Sequence, residues 1–140
     1  MNQKTMQQKA YEFEMYKEQM KQIQMQAMQI QKQAQEFEQV KQSLTDLKKE
    51  KEINDAFIPL GAGIFASGKI TDSKEVLVMT GAGIAIKKSI DEAITFLDDK
   101  IEILTAAFKE LDAQGKQISK SAQEIANMIQ GADGGVVAKR

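Results

Sequence analysis

The sequence contains no cysteine, no histidine and, in 140 residues, one proline, Pro59. Without cysteine there are no disulfides and no thiolate metal sites. Without histidine the commonest acid/base group and the Ser/His and Cys/His nucleophile pairs are also gone, which argues against an enzyme. An excess of charge of either sign is missing too. Lysine plus arginine number 19 against 20 acids, which offers no strong field for nucleic acid or an anionic membrane. No apolar run approaches the length of a membrane span, and the Gln- and Lys-rich N-terminus lacks the apolar core of a secretory signal, so a cytoplasmic address is expected. Glycine is confined to residues 61–135, leaving the first 60 positions free of any helix breaker before Pro59.

What is present is a seven-residue repeat. Met6, Phe13, Met20, Ala27 and Ala34 fall at the a positions of a heptad, and Tyr16, Ile23, Ile30, Phe37 and Leu44 at d. Lys41 occupies a, while Val40 and Leu47 carry the apolar stripe onward at a shifted phase, as a three-residue stammer would. A second stripe runs Ile90, Ile94, Leu97, Ile101, Leu104, Phe108, Leu111, Gly115, Ile118, Ala122, Ile125, Ile129, in which only Gly115 lacks a side chain to pack. Ser89 and Glu92 stand at capping-box spacing, so the second helix should begin there. Each arm is about 60 Å long at ~1.5 Å per residue. Two stripes of similar length in one chain cover each other most economically by antiparallel pairing. Two registers one heptad apart remain open, one placing Gly115 near Ile23 and the other near Ile30.

Between the arms the period changes. Residues 56–60, 64–70, 75–80 and 84–88 are short, apolar or β-branched, and bounded by Gly61, Thr71-Asp72-Ser73 and Gly81, which predicts two β-hairpins. Val76-Leu77-Val78-Met79 has no polar alternation, so both of its faces need cover. Four short strands at the end of a two-helix arm cannot supply it, and another chain must. The apolar strand residues Ile58, Leu60, Ile64, Phe65, Ile70, Val76, Leu77, Val78, Met79, Ile84 and Ile86 are the expected oligomer interface. Glycines at 61, 63, 68, 81 and 83 fit turns and bulges that curve a small sheet into a barrel wall. The predicted fold is mainly α: a long antiparallel two-helix coiled coil with two central β-hairpins that join a multi-subunit β-barrel. Its expected segments are an N-terminal helix over 1–53, the double hairpin over 54–88, a C-terminal helix over 89–130 and a flexible, glycine-rich tail over 131–140.

The stretch Ile58-Pro59-Leu60-Gly61-Ala62-Gly63, then Gly68-Lys69-Ile70, then Val76-Leu77-Val78 followed by residues 81–88, together with the heptads on either side, resembles the alpha-type subunits of the archaeal prefoldin family. The likeness spans roughly residues 10–130, and its specific part is the double hairpin, since the beta type carries a single one. The resemblance implies a hexamer of two alpha and four beta subunits whose hairpins merge into a double β-barrel. It also implies that the free ends of six arms capture non-native proteins without nucleotide and pass them to a group II chaperonin.

On that reading the candidate client-binding residues are Met1, Met6, Tyr11, Phe13, Met15, Met128 and Ile129, where the two arms should end together. Tyr11 and Met15, like Met25 and Met28, lie off the seam on surface a coiled coil does not need to bury, and pliable methionine suits many apolar partners. The plainer alternative is that methionine serves as a good helix former, and that Phe13, Tyr16, Ile125, Met128 and Ile129 are core packing. Gly61-Ala62-Gly63 and Gly81-Ala82-Gly83 are turn glycines and not phosphate loops. Strands follow them where a nucleotide fingerprint needs a helix, and Gly68-Lys69 is followed by Ile70 instead of Ser or Thr. Asp91-Glu92 and Asp98-Asp99 match the positive end of a helix dipole and need no metal. No cofactor is implied. A filament- or scaffold-forming relative built on the same β segment is the rival reading; a helix lying on a membrane surface is disfavoured by the narrow apolar stripe.

Overall fold

The computed structural model describes residues 2–50 and 52–138, with side chains as far as residue 131. The order is helix α1 (Gln3–Lys49), strands β1 (Ile53–Gly61), β2 (Ile64–Ile70), β3 (Glu75–Gly81) and β4 (Ile84–Ser89), then helix α2 (Ile90–Ala138). The chain divides into two compact units. An arm unit comprises residues up to Gln33 and from Leu104 onward, and a hairpin unit comprises Ala34–Ile103.

α1 starts at a cap. The Asn2 side-chain oxygen accepts the Thr5 N–H at 2.8 Å, satisfying one of the amides a first turn leaves unpaired. Its a and d residues from Met6 to Leu44 are the half-covered ones, Lys41 included, while most other positions are exposed. The predicted phase shift at Val40 does not occur there, since Val40 is exposed and Lys41 keeps the seam position; the stripe moves only after Leu44, to the half-buried Leu47. Lys41 holds its place because its ammonium meets the Asp98 carboxylate of α2 and, at 3.8 Å, Glu38. That ammonium is held above its ordinary range, foremost by the hydrogen bond to Asp98. One heptad on, Lys48 pairs with Asp91 at 2.7 Å.

In the arm unit, α2 lays Gly115 against Ile23 and Met20, whose nearest atoms lie 3.6 Å from where a Cβ would stand. This selects the first of the two registers open to the sequence. Every predicted seam residue of α2 is at least half-covered. α2 continues to Ala138, beyond the boundary at residue 130 that composition suggests. Glycine weakens a helix interior by about 1 kcal/mol per residue without forbidding it, and residues 131–138 contain no proline to break this one.

In the hairpin unit, β1 pairs antiparallel with β2 and β3 with β4, as two separate two-stranded sheets. β1 begins at Ile53, three residues before the predicted strand. Each hairpin closes through a two-residue turn. Ala62 and Gly63 have φ of 54° and 77°, and Ala82 and Gly83 have 50° and 75°. Positive φ at both central residues is the mirror-image turn whose twist matches that of paired strands. Gly61 and Gly81, at φ 114° and 106°, take up the register shift beside each turn. The repeated Gly-Ala-Gly-Ile is therefore one turn geometry used twice. The second hairpin is tied to α2: the Ile90 N–H donates to the Lys74 carbonyl at 3.3 Å, the Ser89 hydroxyl accepts the Glu92 N–H at 3.1 Å and donates to the Glu92 carboxylate at 3.0 Å. Ile90, Ala93 and Leu97 beside this junction are buried.

Candidate functional site

The hairpins leave apolar surface uncovered on both faces. In the first, Phe57 pairs with Ser67 and Pro59 with Phe65 on one face, while Ile58 pairs with Ala66 and Ala56 with Gly68 on the other. Phe57 and Phe65 are exposed on the first face and Ile58 on the second. Gly68 leaves room for Ile58 to lie across the strand: a Cβ there would stand 2.6 Å from Ile58 Cδ1, and the end of that side chain would have to shift. In the second hairpin the faces differ. Val76 and Val78 are half-buried, and with Val40, Leu44, Ala93 and Leu97 they line an apolar cleft of about 250 Å³. Leu77 and Met79, which alternate with them along β3 and border the same cleft, are exposed.

Of the eleven residues expected at an oligomer interface, Ile58, Leu60, Ile64, Phe65, Leu77, Met79, Ile84 and Ile86 are exposed, and Ile70, Val76 and Val78 are half-buried. Phe57 was not among them and, at 74% exposure, is the most uncovered large apolar residue among the described residues. Its signal was present in the run Ala56-Phe57-Ile58, which lacks polar alternation just as residues 76–79 do. An isolated two-stranded hairpin is marginal in water, and burying a large apolar side chain is worth about 1.5–3 kcal/mol. The geometry therefore defines a surface suited to strand-edge and face-to-face contact with further chains.

At the chain-terminal end of the arm unit the candidates separate into two sets. Tyr11, Met15 and Met128 are exposed; Met6, Phe13 and Ile129 sit half-covered on the seam. Phe13 also receives the Lys17 ammonium over its ring at 5.6 Å. Ile125, the plainest packing residue of the group, is 6% exposed. Met1 lies outside the described residues. Among the described residues no cluster of three or more carboxylates is placed to hold a metal, and no helix is long and apolar enough to cross a membrane.

Long helices flanking two two-stranded hairpins with uncovered apolar surface define the class: a coiled-coil chain carrying a double β-hairpin. Residues 16–133 match the family model described as "Prefoldin subunit", and the chain belongs to the prefoldin family, in its archaeal alpha class. It is 35% identical over 96 residues to prefoldin subunit alpha of Pyrococcus horikoshii, a match covering 68% of this chain and 65% of that one. To prefoldin subunit alpha 1 of Thermococcus kodakarensis it is 43% identical, over 48% of this chain and 46% of that protein. The chain thus spans between about half and two thirds of these two relatives. With prefoldin subunit alpha of Methanobrevibacter smithii the match is 30% identical and covers 86% of both. Among solved structures, a filamentous PFD from Methanocaldococcus jannaschii shares the fold with a TM-score of 0.72 at 18% identity, covering 81% of this chain and 93% of that one. The prefoldin beta subunit from Thermococcus strain KS-1 does so at 0.63 and 21%, covering 91% of each.

Proposed function

We infer that this chain is a subunit of an ATP-independent holdase chaperone of the cytoplasm. Its hairpins complete a β-barrel platform with beta-type subunits, two copies of this chain joining four of the partner. The arm ends hold non-native proteins and hand them to a group II chaperonin. The observation that carries the reading is the bare apolar surface of two hairpins that have no third strand, in a chain of the prefoldin family. Exposed Tyr11, Met15 and Met128, beside seam residues Met6, Phe13 and Ile129 that fraying at a helix end uncovers, supply a pliable apolar surface of the kind a promiscuous holder needs. Contacts at one arm need not be strong, because several arms acting on one client add avidity.

The test is to remove residues 1–12 and 131–140 and assay suppression of aggregation of a chemically denatured enzyme. Assembly should be retained and suppression weakened several-fold, an avidity loss. Unchanged suppression by the shortened chain would remove the arm ends from the mechanism.

A further inference from the structure

The two hairpins share a turn geometry but not their support. β4 runs into α2 without an intervening residue, whereas residues 50–52 separate α1 from β1. Val76 and Val78 of the second hairpin share a cleft with Val40 and Leu44 of α1 and Ala93 and Leu97 of α2. The half-covered Lys88 of β4 holds its ammonium 5.9 Å from the centre of the Phe96 ring, and the Ile90 N–H is bonded to the Lys74 carbonyl. Both helices therefore brace the second hairpin. The first is supported only at its base. Among its large apolar residues Ile53 and Ile70 are half-covered, beside Leu47 in the last turns of α1. Phe57, Ile58, Leu60, Ile64 and Phe65 are all exposed.

The strand pairing differs in the same direction. Register shifts interrupt β1 and β2 twice, between Ile53 and Ala56 and between Pro59 and Gly61, but β3 and β4 only once, between Met79 and Gly81. Pro59 has no amide hydrogen, so β1 has one donor fewer. Both turns also hold an alanine at positive φ, a backbone conformation that an L side chain resists. Packing on the helices offsets that cost in the second hairpin. The first has two strands and a base to set against it, and a hairpin of two strands alone is marginal in water. Local stability follows buried contacts, so the two hairpins of one chain differ in it.

We propose that the second hairpin is already formed in the free subunit, while the first opens and closes until a beta-type subunit locks it. The first hairpin is then the element that folds on binding, and affinity for the partner is lowered by the fraction of time it stands open. This rests on the subunit reading above and adds which half of the hairpin surface is pre-formed and which the partner orders. The test follows amide hydrogen exchange in the full chain, diluted to its monomer and then mixed with a beta-type prefoldin subunit. Residues 75–89 exchange slowly in both states. Residues 53–70 exchange fast in the free chain and slowly in the mixture. Asparagine before glycine adopts this turn readily, so Ala62→Asn favours the closed first hairpin and raises affinity for the partner about fivefold. Ala82→Asn, in a hairpin already closed, leaves affinity unchanged. Equal exchange of the two hairpins in the free chain, or equal gains from the two substitutions, overturns the proposal while leaving the subunit reading in place. If no form of the chain binds the beta-type subunit, the subunit reading fails and the proposal fails with it.

Discussion

At the residue scale, two seam positions break the apolar rule in opposite directions. Lys41 puts a charge where a coiled coil wants a hydrophobe, and Gly115 puts nothing where it wants a side chain. The lysine is answered by Asp98, and a heptad away Lys48 is answered by Asp91, so charges spaced by seven on one helix face charges spaced by seven on the other. A slip of one heptad keeps one of these pairs at most, which gives the hairpin unit a reason to hold one register. Gly115 has no such compensation. Gly115→Ala should therefore stabilise the arm by about 1 kcal/mol, seen as a higher denaturant midpoint with unchanged slope. A loss of stability would show that the helices approach more closely at this layer than the 3.6 Å clearance indicates.

At the scale of elements, the junction between β4 and α2 is held by several local bonds at once. The Ser89 hydroxyl bridges the Glu92 amide and carboxylate, Asp91 and Glu92 lie at the positive end of the helix dipole, and Ile90 is buried beside them. Ser89→Ala should cost about 1 kcal/mol, the usual value of a lost N-cap, measured by denaturant unfolding; Ser89→Asp should recover most of it. An Ala variant as stable as the parent would mean that the Ile90 to Lys74 backbone bond alone sets the helix start.

Much of this element level was legible in the residues. The heptad named the covered side chains from Met6 to Leu44, the box named the start of α2, and the paired Gly-Ala-Gly motifs named both turns. Period and turn chemistry are local properties, which is why they could be read. Val40 and the register were not legible for a common reason: each depends on what lies across the seam. A shifted apolar stripe and a continuous one containing a paired lysine look alike until Asp98 is placed opposite. The cap at Asn2 passed unnoticed because the heptad signal begins after it, and the continuation of α2 to Ala138 because glycine content lowers helix propensity without setting an end. Phe57 was missed although its neighbours were not: a strand with both faces apolar leaves no alternation by which to choose among its residues.

At the scale of the whole molecule, the covered and uncovered surfaces have different origins. Helix pairing within the chain half-covers the heptad seam. The hairpins are left with Phe57, Ile58, Leu60, Ile64, Phe65, Leu77, Met79, Ile84 and Ile86 in water and with open strand edges. Surface of this kind on a free monomer invites association with whatever matches it, so the account requires a matching partner. The central claim is that other subunits complete these hairpins, and native mass spectrometry tests it most directly. In a mixture with a beta-type prefoldin subunit, the account predicts one discrete species containing two copies of this chain and four of the partner. A chain that persists as a monomer in that mixture, or that grows instead into polymers of increasing length with concentration, would contradict it.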